Sequence, residues 1–404
     1  MRLGTWVGAL ALLGSIVGSA CEAQEVAEPL VVSSDPELVE LASALLPGLA
    51  ERSGLPLMEP VRLERRSRDH LVRYLQHKLD AELPEHEAGA MVDAYALLGL
   101  VPSDLDLRGL LLGLYTEQVA GFYEPDSTAL FVMDDQPEVT LQGLLVHELV
   151  HAIQDQAADL DALTDPSMGN DRSIAAQAAI EGHATLVMLE YMTEQMAGVP
   201  VNLAEIPRFT AQMRPALEAM RGQFPALAGA PRVIQESLLF PYLEGTGYVQ
   251  KLWSGGERVA PFGEYLPEST EDVLEGGAAA APIELRLSVD GARIVHEDVL
   301  GRLEIGVLLD EHVGVSAAAL ADGWDGDRYA LLELADGSRA LVWFAVWEDA
   351  GLRDVFMGGM ERALGGLGGP ATLERLDVSG RPATVVRVGS LPGVTVVAET
   401  ADGS

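Results

Sequence analysis

The chain reads as α+β, with a mainly helical first domain and a smaller α+β domain after it. Three observations predict this. Apolar residues recur at helical spacing through most of residues 36–112 and 141–253. Two short extended runs with a turn between them stand just before residue 141. Beyond residue 282 the pattern changes to alternating runs separated by Gly- and Asp-containing turns.

The elements follow in order. Asp35-Pro36-Glu37 predicts a helix start, with a capping Asp and Pro in the first turn. Val61 to Arg66 reads as a strand, and Asp69 to Leu83 and Glu85 to Leu100 as helices. Arg62, Arg65, Arg66 and Arg68 form a basic island in an acidic chain, expected to be a solvated strand face paired with nearby carboxylates. Residues 115–133 read as a helix end, then a β-hairpin turning at Glu124-Pro125-Asp126-Ser127. Arg208 to Arg221 and Pro231 to Trp253 are helical in period, the second interrupted by Pro241, Gly245 and Gly247. Ser254 to Pro282, rich in Gly, Ala and Pro, reads as a linker or lid. After it come a helix at Glu297 to Glu311, strands at Arg328–Leu334 and Ala340–Trp347, a helix at Leu352–Leu364, and strands near Leu373–Val378, Ala383–Val388 and Gly393–Ala398. Gly323-Trp324-Asp325-Gly326-Asp327-Arg328 is a glycine turn entering a strand, with a calcium loop as the alternative.

The chemistry concentrates in His147-Glu148-Leu149-Val150-His151. Residues four apart share a helix face, so both imidazoles can address one ion, and Glu148 stands beside that face as a proton acceptor for a metal-activated water. Leu145, Leu149 and Ile153 form the apolar stripe that anchors the helix. Asp155 continues the polar stripe of His147 and His151 and is placed either to accept from a ligand imidazole or to be solvated at the helix end. The third ligand is sought on a second apolar helix from about Ile174 to Met192. Glu181 is the first choice there, since a lone carboxylate in such a helix is costly to bury unless coordinated. His183 is the alternative ligand; otherwise it is a surface histidine or a transition-state hydrogen-bond donor. Gly182 would let another backbone approach closely. Tyr248 and Tyr242 are candidates for stabilising an oxyanion, with core packing as the alternative.

The segments Glu117–Tyr123, His147–Gln156 and Ile180–Thr185 together resemble bacterial zinc metallopeptidases of the gluzincin type, many of them lipoproteins, over roughly residues 60–255. The resemblance implies a zincin-like domain with one Zn2+ per chain held by His147, His151 and Glu181. It also implies hydrolysis of a peptide or protein substrate, with the hairpin strand before the motif helix holding the substrate backbone. Two departures stand out: an extra loop from Ala157 to Arg172, and His183 where relatives carry an acidic residue. The alternative is a zinc-binding but non-catalytic envelope lipoprotein acting as a binding or scaffold module.

Residues 1–21 read as a lipoprotein-type signal peptide: Arg2, an apolar run from Leu3 to Val17, then Gly18-Ser19-Ala20 before Cys21. Cys21, the sole cysteine, is the expected lipidation site, which implies export and a lipid anchor at the cell envelope. Ordinary cleavage near Ala20 or Ala23, giving a secreted soluble protein, is the alternative. One cysteine excludes an intrachain disulfide. The organisation expected is then a tether (22–34), the metallopeptidase domain (35–253), the linker (254–282) and the C-terminal domain (283–404). A net charge of −36, with 62 acidic residues and only Lys78 and Lys251 as lysines, argues against nucleic acid or an anionic membrane surface as a partner.

Overall fold

The computed structural model describes residues 29–124, 127–206, 210, 212–215, 224–277 and 281–401. The segment expected to be a signal peptide, with Cys21, and most of the helix expected at Arg208–Arg221, lie outside the described residues. The fold is mixed α+β. Its first part holds β1 (Val31–Val32), α1 (Pro36–Ser53), β2 (Val61–Arg66), α2 (Arg68–Glu82), α3 (Glu85–Leu97), α4 (Leu107–Gln118), β3 (Gly121–Glu124) and β4 (Ala129–Met133). Next come α5 (Glu138–Ala157), α6 (Leu160–Leu163), α7 (Asn170–Ala197), α8 (Pro225–Gly229), α9 (Arg232–Trp253) and α10 (Thr270–Glu275). The last part holds β5 (Leu285–Asp290), β6 (Arg293–Asp298), α11 (Gly301–His312), β7 (Trp324–Glu333), β8 (Arg339–Trp347), α12 (Ala350–Ala363), β9 (Ala371–Val378), β10 (Arg381–Val388) and β11 (Thr395–Thr400).

The first sheet runs β1-β2-β4-β3, with β3 antiparallel to β4 and the other pairs parallel. Alternation on β4 sends Leu130 and Val132 into a core with α1, α5, α7 and α9, while Ala129, Phe131 and Met133 meet Leu71 of α2. The sheet is thus covered on both faces. β3 is its edge, next to α5. The arginine island pairs with carboxylates: Arg65 with Asp35 and Glu37, Arg66 with Glu64, and Arg68 with Asp135.

The second sheet, β6-β7-β8-β10-β9, is antiparallel throughout. One face buries Trp324, Tyr329, Trp343 and Trp347 against α11, α12 and also α3, through Ala90, Ala94 and Tyr95. The other face is covered by the β5–β11 ribbon. A helix from the first part therefore completes the core of the C-terminal sheet.

Several expectations are corrected here. Part of the expected tether is β1, paired with β2. Part of the expected linker is packed: Ser269, Thr270 and Asp272 are buried, and Thr270 donates to Asp171 at the start of α7. The helix expected at Glu297 starts at Gly301, because residues 293–298 pair with β7. The Gly323–Arg328 segment is not a calcium loop. Asp327 accepts from Leu300 N, Gly301 N and the indoles of Trp324 and Trp343, and Asp325 pairs with Arg381. Both oxygens of Asp327 and Oδ2 of Asp325 are already committed.

Candidate metal centre

α5 and α7 pack side by side, and α7 in turn crosses α9 closely at Gly182 and Gly245. A Cβ on Gly182 would lie 2.0 Å from the Gly245 carbonyl carbon, and one on Gly245 would lie 2.1 Å from Ala178 O. Only glycine permits that approach. The crossing presents Glu181 toward α5 and brings Tyr242 over it.

His147, His151 and Glu181 converge, with one ligand atom from each within 4.8 Å of the others. His147 Nε2 stands 3.1 Å from Glu181 Oε2 and 3.1 Å from His151 Nε2, and His151 Nε2 stands 3.4 Å from Glu181 Oε2. Ligand atoms about 2.0–2.1 Å from a tetrahedral ion stand roughly 3.3 Å apart, so one ion fits this triangle. The contacts at 3.1 Å between the two imidazole nitrogens and the carboxylate can be bridged by protons or by one cation. The group can hold a metal ion.

The electrostatics fit that role. The two histidines hold the Glu181 carboxyl well below its ordinary range, against burial, which acts the other way. Burial lowers the affinity of His151 for a proton, but the Glu181 charge outweighs it and the pKa rises to about 9. Glu148 is buried, and burial pushes its carboxyl up despite both histidines; it accepts a hydrogen bond from the backbone N–H of Tyr123 on β3. A group with a raised pKa beside a metal site suits a base that must also release its proton. Tyr242 stacks on His147 with ring centroids 6.2 Å apart, and the Glu181 charge drives its pKa well above 10. A small cleft of about 160 Å3, lined by Tyr123, His151, Thr164 and Glu181 among others, opens onto this point. Larger clefts lie elsewhere and contain none of these donors; the chemistry, not the volume, identifies the site.

Three expected residues sit differently. Asp155 does not meet a ligand imidazole: it accepts from Tyr123 Oη at 2.9 Å and from Leu160 N. Its expected role falls to Gln154, whose Oε1 is 2.7 Å from His151 Nδ1. His183 is neither a ligand nor at the surface. It is fully buried between Trp253 and Phe262, with Nε2 3.0 Å from Ser53 O, and burial lowers its pKa to about 4. Tyr248 points away from the centre and donates to Tyr265 O at 2.6 Å. Gln154 carries no charge and sits outside the spacing-four stripe of His147 and His151, so its role emerges only from its contacts with Ile180 and His183 on α7.

Among the described residues, no helix is long and apolar enough to cross a membrane. Residues 289–402 match the family model described as Domain of unknown function (DUF8575), a likeness confined to the C-terminal sheet region and outside the metal centre. No curated protein and no solved structure matches the chain.

Proposed function

We propose that the chain is a zinc-dependent peptidase of the gluzincin kind, with His147, His151 and Glu181 as ligands and Glu148 as general base. The observation that carries this is the convergence of two imidazoles and a carboxylate at tetrahedral spacing, with a separate buried carboxylate one residue along α5. Nitrogen and oxygen donors of this kind suit zinc, and three protein ligands leave a coordination position open. A bound zinc would polarise a peptide carbonyl and make a water nucleophilic near neutral pH.

The residues divide the remaining work. Glu148 takes the proton of the attacking water and passes it to the leaving amine. Tyr242, at the rim with its hydroxyl beside Glu181, is placed to donate to the oxygen that becomes negative. Among the described residues β3 pairs with β4 on one side only, so apart from the Tyr123 N–H taken by Glu148 its outer edge can hold an extended peptide backbone across the site.

Elemental mass spectrometry of the purified, dialysed protein tests the metal, and hydrolysis of a mixed peptide library with and without chelator tests the chemistry. About one zinc per chain and chelator-sensitive cleavage are expected. Zinc without cleavage would leave the non-catalytic scaffold; no zinc after resupply would end the reading.

A further inference from the structure

A chain of buried hydrogen bonds runs from the end of α1 to the metal-facing imidazole of α5, and each polarity in it is fixed by the one before. Ser53 is the last residue of α1, where carbonyls lack helical partners. Its oxygen lies 3.0 Å from His183 Nε2; a carbonyl only accepts, so that nitrogen carries the proton. In the neutral ring, His183 Nδ1 is then an acceptor. Gln154 Nε2 stands 3.0 Å from it and 3.0 Å from Ile180 O, a second obligate acceptor. Both contacts require the NH2 end of the amide there. Gln154 Oε1 is thereby an acceptor, and its 2.7 Å contact with His151 Nδ1 requires a proton on that nitrogen.

We propose that Gln154 and His183 are positioning residues that lock His151 as its Nδ1–H tautomer, leaving the Nε2 lone pair for the metal, with the α1 terminus at Ser53 as the fixed reference. The relay ties α1, α5 and α7 to one ligand orientation. It also explains why a histidine occupies position 183: the site needs a buried group that accepts from an amide and donates to a carbonyl. Partners behind metal-bound imidazoles typically set affinity by about 10- to 100-fold.

The proposal rests on the metal centre above, and its test separates the two. In purified protein labelled with 15N-histidine, the ring nitrogen shifts of His183, assigned with a His183→Gln variant, are expected to show Nε2–H and a bare Nδ1. Gln154→Glu keeps the acceptor for His151 but loses both donors, so His183 should gain a proton on Nδ1. A packing role alone would leave that tautomer unmoved. Gln154→Met should weaken zinc binding in a chelator competition by about 10- to 100-fold. Zinc bound with His183 protonated on Nδ1 in the unaltered protein, or an unchanged zinc Kd in Gln154→Met, overturns the relay alone. A protein that binds no zinc overturns the metal centre and the relay's purpose together. Should Gln154→Met fail to fold, the His183 tautomer in the unaltered protein decides.

Discussion

Glu181 and Glu190 stand nine residues apart on α7, which turns them to opposite faces of one helix. Glu190 is fully buried and met by guanidinium: Arg258 donates through Nη1 at 2.7 Å and Nη2 at 3.2 Å, Arg52 lies 3.7 Å away, and Leu203 N completes the set. Glu181 is met by two imidazoles and a tyrosine, and among the described residues no arginine or lysine pairs with it. In a chain with only 26 basic residues, arginines are spent where a carboxylate needs a permanent counter-charge. On the other face the counter-charge is left to partners that can bind an ion. The difference separates a structural carboxylate from one free to ligate without reference to any relative.

The sharpest test of the ligating face concerns the carboxylate that does not ligate. Glu148→Gln is expected to retain zinc by elemental analysis and to lower kcat by about 10²–10⁴-fold, the usual worth of a general base. Retained turnover would remove Glu148 from the mechanism. Tyr242→Phe comes next, with kcat lowered by about 10²-fold and KM nearly unchanged if its hydroxyl serves the oxyanion. The two glutamates of α7 should then fail in opposite ways. Glu190→Ala strands Arg258 and leaves Leu203 N without its acceptor, while Arg52 keeps Glu194; it is expected to cost about 3 kcal/mol in urea unfolding while zinc stoichiometry stays at one. Glu181→Ala should lose zinc on dialysis, with little change in the urea midpoint of zinc-free protein. Zinc retained in Glu181→Ala, or lost in a folded Glu190→Ala, would break the comparison.

A third treatment of buried carboxylate appears where α7 begins. Glu304 receives Tyr95 Oη at 2.9 and 2.7 Å and Asn170 Nδ2 at 3.0 Å, with no cationic side chain paired to it among the described residues, and burial raises its pKa to about 8. Burial likewise takes Asp171 to about 7, although Thr270 donates to it. A carboxyl whose folded pKa lies above its unfolded 4.5 binds protons more tightly when folded. Its contribution is therefore full below pH 4.5 and disappears as pH rises to 8. Stability should fall over that window by on the order of 1 kcal/mol per pH unit for each such group. Glu304→Gln should flatten the slope in urea titrations at pH 5, 6.5 and 8; an equally steep slope would mean that Glu304 ionises freely.

The ligating face was legible because its information is local. Spacing of four put His147 and His151 on one side of a helix, and an apolar setting made Glu181 conspicuous. What stayed hidden depended on contacts distant in sequence. His183 meets Ser53 across 130 residues, and Thr270 is anchored by Asp171, about a hundred residues away. Asp155 was a candidate through its charge and its place on the stripe, with solvation at the helix end as the alternative, yet Gln154, one residue earlier, reaches the imidazole. β5 and β6 did carry a signal, Asp290-Gly291 between two alternating runs. That signal would still have misled, because β5 pairs with β11 rather than with β6.

Tyr242 and Tyr248 repeat the contrast on α9, and here the sequence offered no means of choice. Six residues turn a helix through about 600°, so the two rings cannot share a face. Structure assigns Tyr242 to His147 and Glu181, and Tyr248, which is buried, to the carbonyl of Tyr265 in the turn before α10. Tyr248→Phe removes one hydrogen bond and leaves one buried carbonyl short of a partner. The expected cost is about 1 kcal/mol in urea unfolding, with zinc content, kcat and KM unchanged. Because the ring stays, packing against Val249 and its neighbours is preserved, and the measurement isolates the hydroxyl. A loss of kcat at Tyr248 matching that at Tyr242 would mean that the α9 face pointing away from the ligands also reaches the substrate, and the division of these helices into a ligating and a structural side would fail.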